Sequence, residues 1–187
     1  MISPPTYPMR PVNGGRLELA PSKIGIWRSE PKYNGYRSPI HVPTGTMFNR
    51  HNKPLSIAKE FKYALQKLRK LCIEWADVEA LERRHSIGRG TLIILDVITV
   101  DPYEERKRAL MSIFEIAPLT PTSIANDEVY VSPFFDDARQ LYESLKSLNN
   151  GVIFYEGIIC KRSLSAYKIQ LQSDSRETTD WVKHRFV

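Results

Sequence analysis

Three short stretches carry the residue types that chemistry needs. The first is Lys32-Tyr33-Asn34-Gly35-Tyr36-Arg37, a lysine three residues ahead of a glycine. The second is Glu156-Gly157-Ile158-Ile159-Cys160-Lys161, and the third is Trp181-Val182-Lys183-His184-Arg185. A primary amine held close to a side-chain-free turn can attack a nucleotide α-phosphate and hold the nucleotide covalently. Such a transfer needs a deprotonated amine, a pocket for base and ribose, positive charge around the phosphates, and a metal ion. An unperturbed lysine, with a pKa near 10.4, is almost wholly protonated at neutral pH. Burial or neighbouring cations must therefore ease the proton from Lys32. Lys183 and Arg185, alternate residues after Trp181, would project from one strand face toward the phosphates. That suits phosphoryl transfer, whose catalysis is mainly positioning and charge neutralisation. Trp181 itself reads as a core residue.

These residues must be positioned by strands and helices that the periodicity predicts in irregular order. Residues 1–22 are proline-rich, with Asn13-Gly14-Gly15, and read as an extended, loop-like lead-in to one domain over residues 23–187. Ile24 to Trp27 predicts a short strand feeding the lysine motif. Pro39 to Val42 and Met47 to Arg50 predict a hairpin about Pro43-Thr44-Gly45-Thr46. From Ser56, apolar residues at Ile57, Phe61, Ala64, Leu65, Leu68 and Leu71 predict one buried helical stripe. Trp75 to Leu81 and Thr91 to Val100 predict adjoining strands joined through Ser86 to Gly90. The second is apolar on both faces at Leu92-Ile93-Ile94-Leu95 and so belongs in the middle of the core. Tyr103 to Glu115 predicts a helix with Leu110, Ile113 and Phe114 inward, and Asp136 to Leu148 another, capped by Asn149-Asn150-Gly151. Val152 to Arg162 predicts the strand that carries the second motif, followed by a polar loop over 163–180. On that strand Glu156 and Lys161, five residues apart, fall on opposite faces unless a bulge intervenes. This mixture predicts an α+β fold of antiparallel sheets flanked by helices.

The three stretches, in this order and spacing, resemble the covalent nucleotidyltransferase superfamily of ATP-dependent DNA ligases, RNA ligases and mRNA capping enzymes. The DNA ligase branch matches best. The resemblance covers about residues 24–187 and implies an ATP-grasp-like nucleotidyltransferase core in which Lys32 is the nucleotide-bound residue. It implies that Glu30 contacts the adenine and that Arg37 binds the nucleotide. Arg50, in Phe48-Asn49-Arg50, would touch sugar or phosphate. Glu79, in Asp77-Val78-Glu79, would reach the ribose or a metal-bound water. Glu156 is associated with the metal and Lys161 with the α-phosphate, beside Lys183 and Arg185. The cofactors implied are ATP, as AMP donor, and Mg2+, with Glu79 and Glu156 as its protein ligands. The activity implied is formation of a lysyl-AMP and transfer of AMP to a nucleic-acid 5′-phosphate end, with DNA favoured over RNA as acceptor. The alternatives are an RNA ligase, or a non-catalytic nucleotide- or nucleic-acid-binding module that keeps the fold.

Three departures from the family pattern bear on that expectation. Asn34 stands where most ligases have aspartate, which removes a negative charge near Lys32 and should ease its deprotonation. Leu95 stands where an aromatic ring normally stacks on the base, leaving only apolar contact there. Ligases and capping enzymes continue into an OB-fold domain, absent from these residues, so the expectation is either a weak hold on the nucleic acid or a clamp supplied by a protein partner.

Composition sets the outer bounds. The chain has 187 residues, 42% hydrophobic and 26% charged, as in an ordinary globular protein. No apolar run is long enough to span a membrane, no signal peptide is evident, and a cytoplasmic location is expected. The net charge of +6 leans toward polyanionic partners. The runs Lys67 to Lys70 and Glu104 to Arg108 read as solvated helix faces. Cys72 and Cys160 read as small buried hydrophobes in a reducing compartment, and His41, His51, His85 and His184 form no metal-binding spacing.

Overall fold

A computed structural model describes residues 2–20, 26–70, 72–82, 86–149, 152–172 and 177–186. In chain order the elements are β1 (Pro11–Asn13), β2 (Trp27–Tyr33), β3 (Tyr36–His41), β4 (Thr46–Met47), α1 (Lys62–Leu68), β5 (Trp75–Leu81), β6 (Thr91–Val97), α2 (Tyr103–Ile113), β7 (Val129–Val131), α3 (Ala138–Leu148), β8 (Tyr155–Arg162) and β9 (Thr178–Arg185). The strands form two sheets, one ordered β1-β9-β8-β2 and the other β4-β3-β5-β6-β7. The chain crosses between them at Asn34-Gly35, within the lysine motif. The expected α+β architecture is present, and most strand pairs are antiparallel. Two pairs are parallel, β1 with β9 and β6 with β7.

The outer faces of the sheets are sealed by helices. Ile40, Val78, Leu92 and Ile94 pack with Phe61, Ala64, Leu65 and Leu68 of the α1 segment and Leu110 of α2. Ile158 and Cys160 of β8 pack with Leu141, Tyr142 and Leu145 of α3. Asp137 caps α3 by accepting a hydrogen bond from the Gln140 amide at 2.9 Å. Both faces of β6 are buried, as its unbroken apolar run predicts, because helices cover one side and the second core cluster the other.

Several local expectations need correction. The lead-in is not only loop, since β1 adds an edge strand through a parallel register that periodicity over three residues cannot reveal. The strand expected to end near Trp27 instead runs from there through Tyr33 and carries Lys32, while 24 and 25 lie outside the described residues. The helix expected from Ser56 opens as a 3-10 turn, Ser56–Phe61, and becomes α-helical at Lys62. Leu71, Asn150 and Gly151, part of the expected stripe and cap, lie outside the described residues. Strand β6 stops at Val97 rather than Val100. Ile113 is 61% exposed, since α2 turns Tyr103, Arg106, Lys107 and Leu110 inward instead. The Glu104 to Arg108 run is therefore not a solvated face throughout. Strand β7 went unforeseen because three residues are too few to show alternation. Cys160 is buried but Cys72 is exposed.

Candidate active site

The inner faces of the two sheets enclose a cavity of about 550 Å³. Strand register explains how one wall is built. Across β2, β8 and β9, residues pair in rows: Lys32 with Gly157 and Arg185, Glu30 with Ile159 and Lys183, and Arg28 with Lys161 and Trp181. Alternation puts every row on the same face. Glu156 joins that face because the pairing of β2 with β8 slips between Lys32 and Tyr33. Gly157 has φ +144° there, and a Cβ on it would sit 2.0 Å from the His184 carbonyl oxygen. The bulge that alternation requires is thus present, and it brings Glu156 and Lys161 into one cavity.

The facing wall comes from the other sheet. Arg37 of β3 lies opposite Glu79 of β5, and Leu95 of β6 lies beyond. Gly35 approaches β5 so closely that a Cβ would meet the Ala80 carbonyl oxygen at 2.8 Å. Its amide donates to Glu79 Oε1 at 2.9 Å, which ties the turn to the strand. All ten residues expected to form the site line this cavity: Glu30, Lys32, Arg37, Arg50, Glu79, Leu95, Glu156, Lys161, Lys183 and Arg185.

Their partners define the electrostatics. Lys32 Nζ donates to Glu156 Oε2, and Arg185 stands 3.6 Å from the same oxygen. Arg37 grips Asp77 through two nitrogens at 3.0 and 2.5 Å, and Tyr167 donates to Asp77 at 2.7 Å. Burial works against the Arg37 charge, but Asp77 outweighs it and holds the guanidinium protonated more firmly than usual. Burial also pushes the Glu79 carboxyl up to about 7, although Lys32, Arg37 and the Gly35 amide pull it down. Glu30 is buried, with Lys161 at 2.8 Å, Lys107 at 3.2 Å and the Tyr103 hydroxyl all on Oε1. Lys161 also lies 4.2 Å from the centre of the Trp181 ring, so this tryptophan is both core and cavity wall. Asp96, next to Leu95, is held below the usual carboxylate range. Its burial acts in the opposite direction and is outweighed by two Arg106 bonds at 2.8 Å, helped by Lys161 and Lys107.

Some site features were not legible in the sequence. Tyr7, Pro8, Arg10 and Pro11 of the lead-in also line the cavity. Arg37 donates to the Met9 carbonyl at 2.6 Å and Lys183 to the Pro11 carbonyl at 3.1 Å. Proline punctuation marked that segment as extended but said nothing of where it lies. Asn34 does not line the cavity. Its amide donates to the Ile153 carbonyl at 2.9 Å, a bond that an aspartate could not make as donor. Among the described residues, no three His, Cys, Asp or Glu side chains gather to hold a metal ion. Of the three carboxylates that line the cavity, Glu30 is held by Lys161 and Lys107, which leaves Glu79 and Glu156 as the donors on offer. They suit a hard cation that keeps waters and takes phosphate oxygens.

No known family profile matches the chain. The bifunctional non-homologous end joining protein LigD of Bacillus subtilis (strain 168) is 26% identical to it over 96% of this chain and 34% of that protein. The crystal structure of the ligase domain of M. tuberculosis LigD superposes with a TM-score of 0.62 and 19% identity, over 96% of this chain and 59% of that one. A mycobacterial DNA ligase D complexed with ATP and MES gives 0.62 and 18%, over 96% and 60%. The Chlorella virus DNA ligase-adenylate gives 0.61 and 16%, over 97% and 68%. The chain therefore has the nucleotidyltransferase fold of ATP-dependent DNA ligases, and it spans about a third of the curated relative.

Proposed function

We propose that this chain is an ATP-dependent polynucleotide ligase-like adenylyltransferase. The observation that carries the reading is the convergence on one enclosed space, from both sheets, of Lys32, the carboxylates Glu30, Glu79 and Glu156, and the other expected residues. The likeness to LigD supports it, as does a neighbour solved with ATP.

In this reading Lys32 Nζ attacks the α-phosphorus of ATP. The N–P bond forms, the bond to the β-phosphate oxygen breaks, pyrophosphate leaves, and the proton of the amine passes to water. The lysyl-AMP then passes AMP to the 5′-phosphate at a nick, with DNA as the favoured acceptor. Lys161, Lys183, Arg37 and Arg185 neutralise phosphate charge, which is most of what catalysis of this reaction demands. Glu30 reads the base, beside apolar Leu95, and Arg50 at the rim contacts sugar or phosphate. Glu79 and Glu156 would hold Mg2+ together with phosphate oxygens and waters, and that ion would offset charge on the leaving group. Its two cysteines are free, as suits the cytoplasm, where ATP is at hand. Among the described residues no helix is long and apolar enough to cross a membrane.

The test is incubation with α-labelled ATP and Mg2+, followed by denaturing electrophoresis. Label should stay on the wild-type chain and vanish from Lys32→Ala. A chain that takes no label from ATP or GTP under any metal condition would reduce the reading to a binding module.

A further inference from the structure

The carboxylate of Glu30 has more cationic partners than it needs. Glu30 is 1% exposed, and its Oε1 meets Lys161 at 2.8 Å, Lys107 at 3.2 Å and the Tyr103 hydroxyl. The two lysines differ in what else they can reach. Lys161 lines the cavity, whereas Lys107 does not. Lys107 rises from α2 behind β6, is 0% exposed, and donates at 2.9 Å to the Leu95 carbonyl, which Lys161 also reaches at 3.2 Å. A buried carboxylate abandoned by its only cation is strongly destabilising. Lys161 could not leave Glu30 for a phosphate unless another cation stayed behind.

We infer that Lys107 is a positioning residue: it holds Glu30 throughout the reaction and so frees Lys161 to move onto the nucleotide phosphate. This rests on the adenylyltransferase reading above. The charges around Lys107 fit it. Glu30 from β2 and Asp96 from β6 face Lys107 and Lys161, with Arg106 on Asp96 at 2.8 Å and Tyr103 on the helix of Lys107. Three cations thus share two carboxylates. When Lys161 turns to a phosphate, two cations and two carboxylates remain. The surplus charge is the one an incoming anion would take. Burial and the neighbouring Lys161 push the Lys107 ammonium down to about 8, while Glu30 and Asp96 hold it up.

The experiment is single-turnover labelling with α-labelled ATP across nucleotide concentrations, for wild type, Lys107→Met, Glu30→Gln and the double variant. Lys107→Met should slow lysine labelling at saturating ATP by roughly tenfold or more, with half-saturation moved only about threefold, because a step after binding is affected. In the Glu30→Gln background, where no carboxylate pins Lys161, the same substitution should cost less than about threefold, a coupling that independent structural damage does not produce. Labelling of Lys107→Met at the wild-type rate, or an equal deficit in both backgrounds, overturns the inference and leaves the adenylyltransferase reading intact. Absence of label on the wild type overturns both. Should Lys107→Met fail to fold, the wild-type pH profile decides. The rate at sub-saturating ATP, which reports the free protein with Lys161 still beside Lys107, should fall above pH about 8 as Lys107 loses its proton, and a sub-saturating rate still rising at pH about 9.5 overturns the inference.

Discussion

Glu79 shows how one side chain can be held in tension. Its Oε1 accepts the Gly35 amide, so it anchors the turn after Lys32, yet burial pushes its carboxyl up to about 7. A group whose folded pKa exceeds its unfolded value contributes stability that is complete below the unfolded value. Here that contribution is lost as pH rises from about 4.5 through about 7. The displacement corresponds to about 3 kcal/mol at most. Glu79→Gln keeps an acceptor for Gly35 and cannot ionise. Relative to wild type it should gain up to about 3 kcal/mol between pH 5 and pH 8, in metal-free buffer. Denaturant unfolding of both proteins at both pH values checks this, and a difference independent of pH would refute it. The sequence offered Glu79 as a strand carboxylate. Its raised pKa depends on burial by residues from other elements, which no local pattern reports.

Among the elements, the pairing of β8 with β2 and β9 matters most, because its bulge decides which residues share the cavity. Alternation alone separates Glu156 from Lys161, and the slip at Gly157 reunites them. Gly157→Ala would need φ near +144° on a residue with a Cβ and would drive that Cβ into the backbone of His184 and Arg185. The expected cost is about 2–4 kcal/mol of stability, with Glu156 turned off its line to Lys32 and labelling slowed in step. Urea unfolding of the alanine variant tests it, and a stability within about 0.5 kcal/mol of wild type would show that the bulge relaxes freely. The bulge was legible as a requirement, since both residues were expected at one site. Long apolar patterns were equally legible, as in β6 and the Phe61 to Leu68 stripe. Strands β1 and β7 were not, because each has three residues and owes its existence to a parallel neighbour. The inward turn of Arg106 and Lys107 was hidden as well, since charge normally marks a solvated face.

At the scale of the whole molecule, positive charge gathers at the mouth of the cavity. Arg10 and Arg50 are exposed there, and the Arg185 side chain is 63% exposed. If a nicked duplex lies across this rim, its phosphates replace counterions and binding weakens steeply with salt. The double substitution Arg50→Ala with Arg185→Ala should lower the slope of log affinity against log salt by about 2, one for each phosphate left without its arginine. Titration of a labelled nicked duplex from about 50 to 200 mM salt measures it. An unchanged slope would mean that the DNA lies elsewhere. The lead-in belongs to this scale too. The Met9 and Pro11 carbonyls occupy Arg37 and Lys183, so a segment legible only as extended forms a wall of the site.

The sequence by itself determined the order of the strands and helices long enough to show a period. It marked too the residues whose types this chemistry needs, and the side-chain-free turn at Gly35. Only the tertiary structure decided that Lys32 meets Glu156 across 124 residues, that Asn34 bonds Ile153 rather than facing the cavity, and that Lys107 shares Glu30 with Lys161. The physical reason is one of range. Periodicity and turn chemistry are set by neighbours a few residues away, whereas burial and ion pairing are set by whichever distant segments the packed sheets bring together.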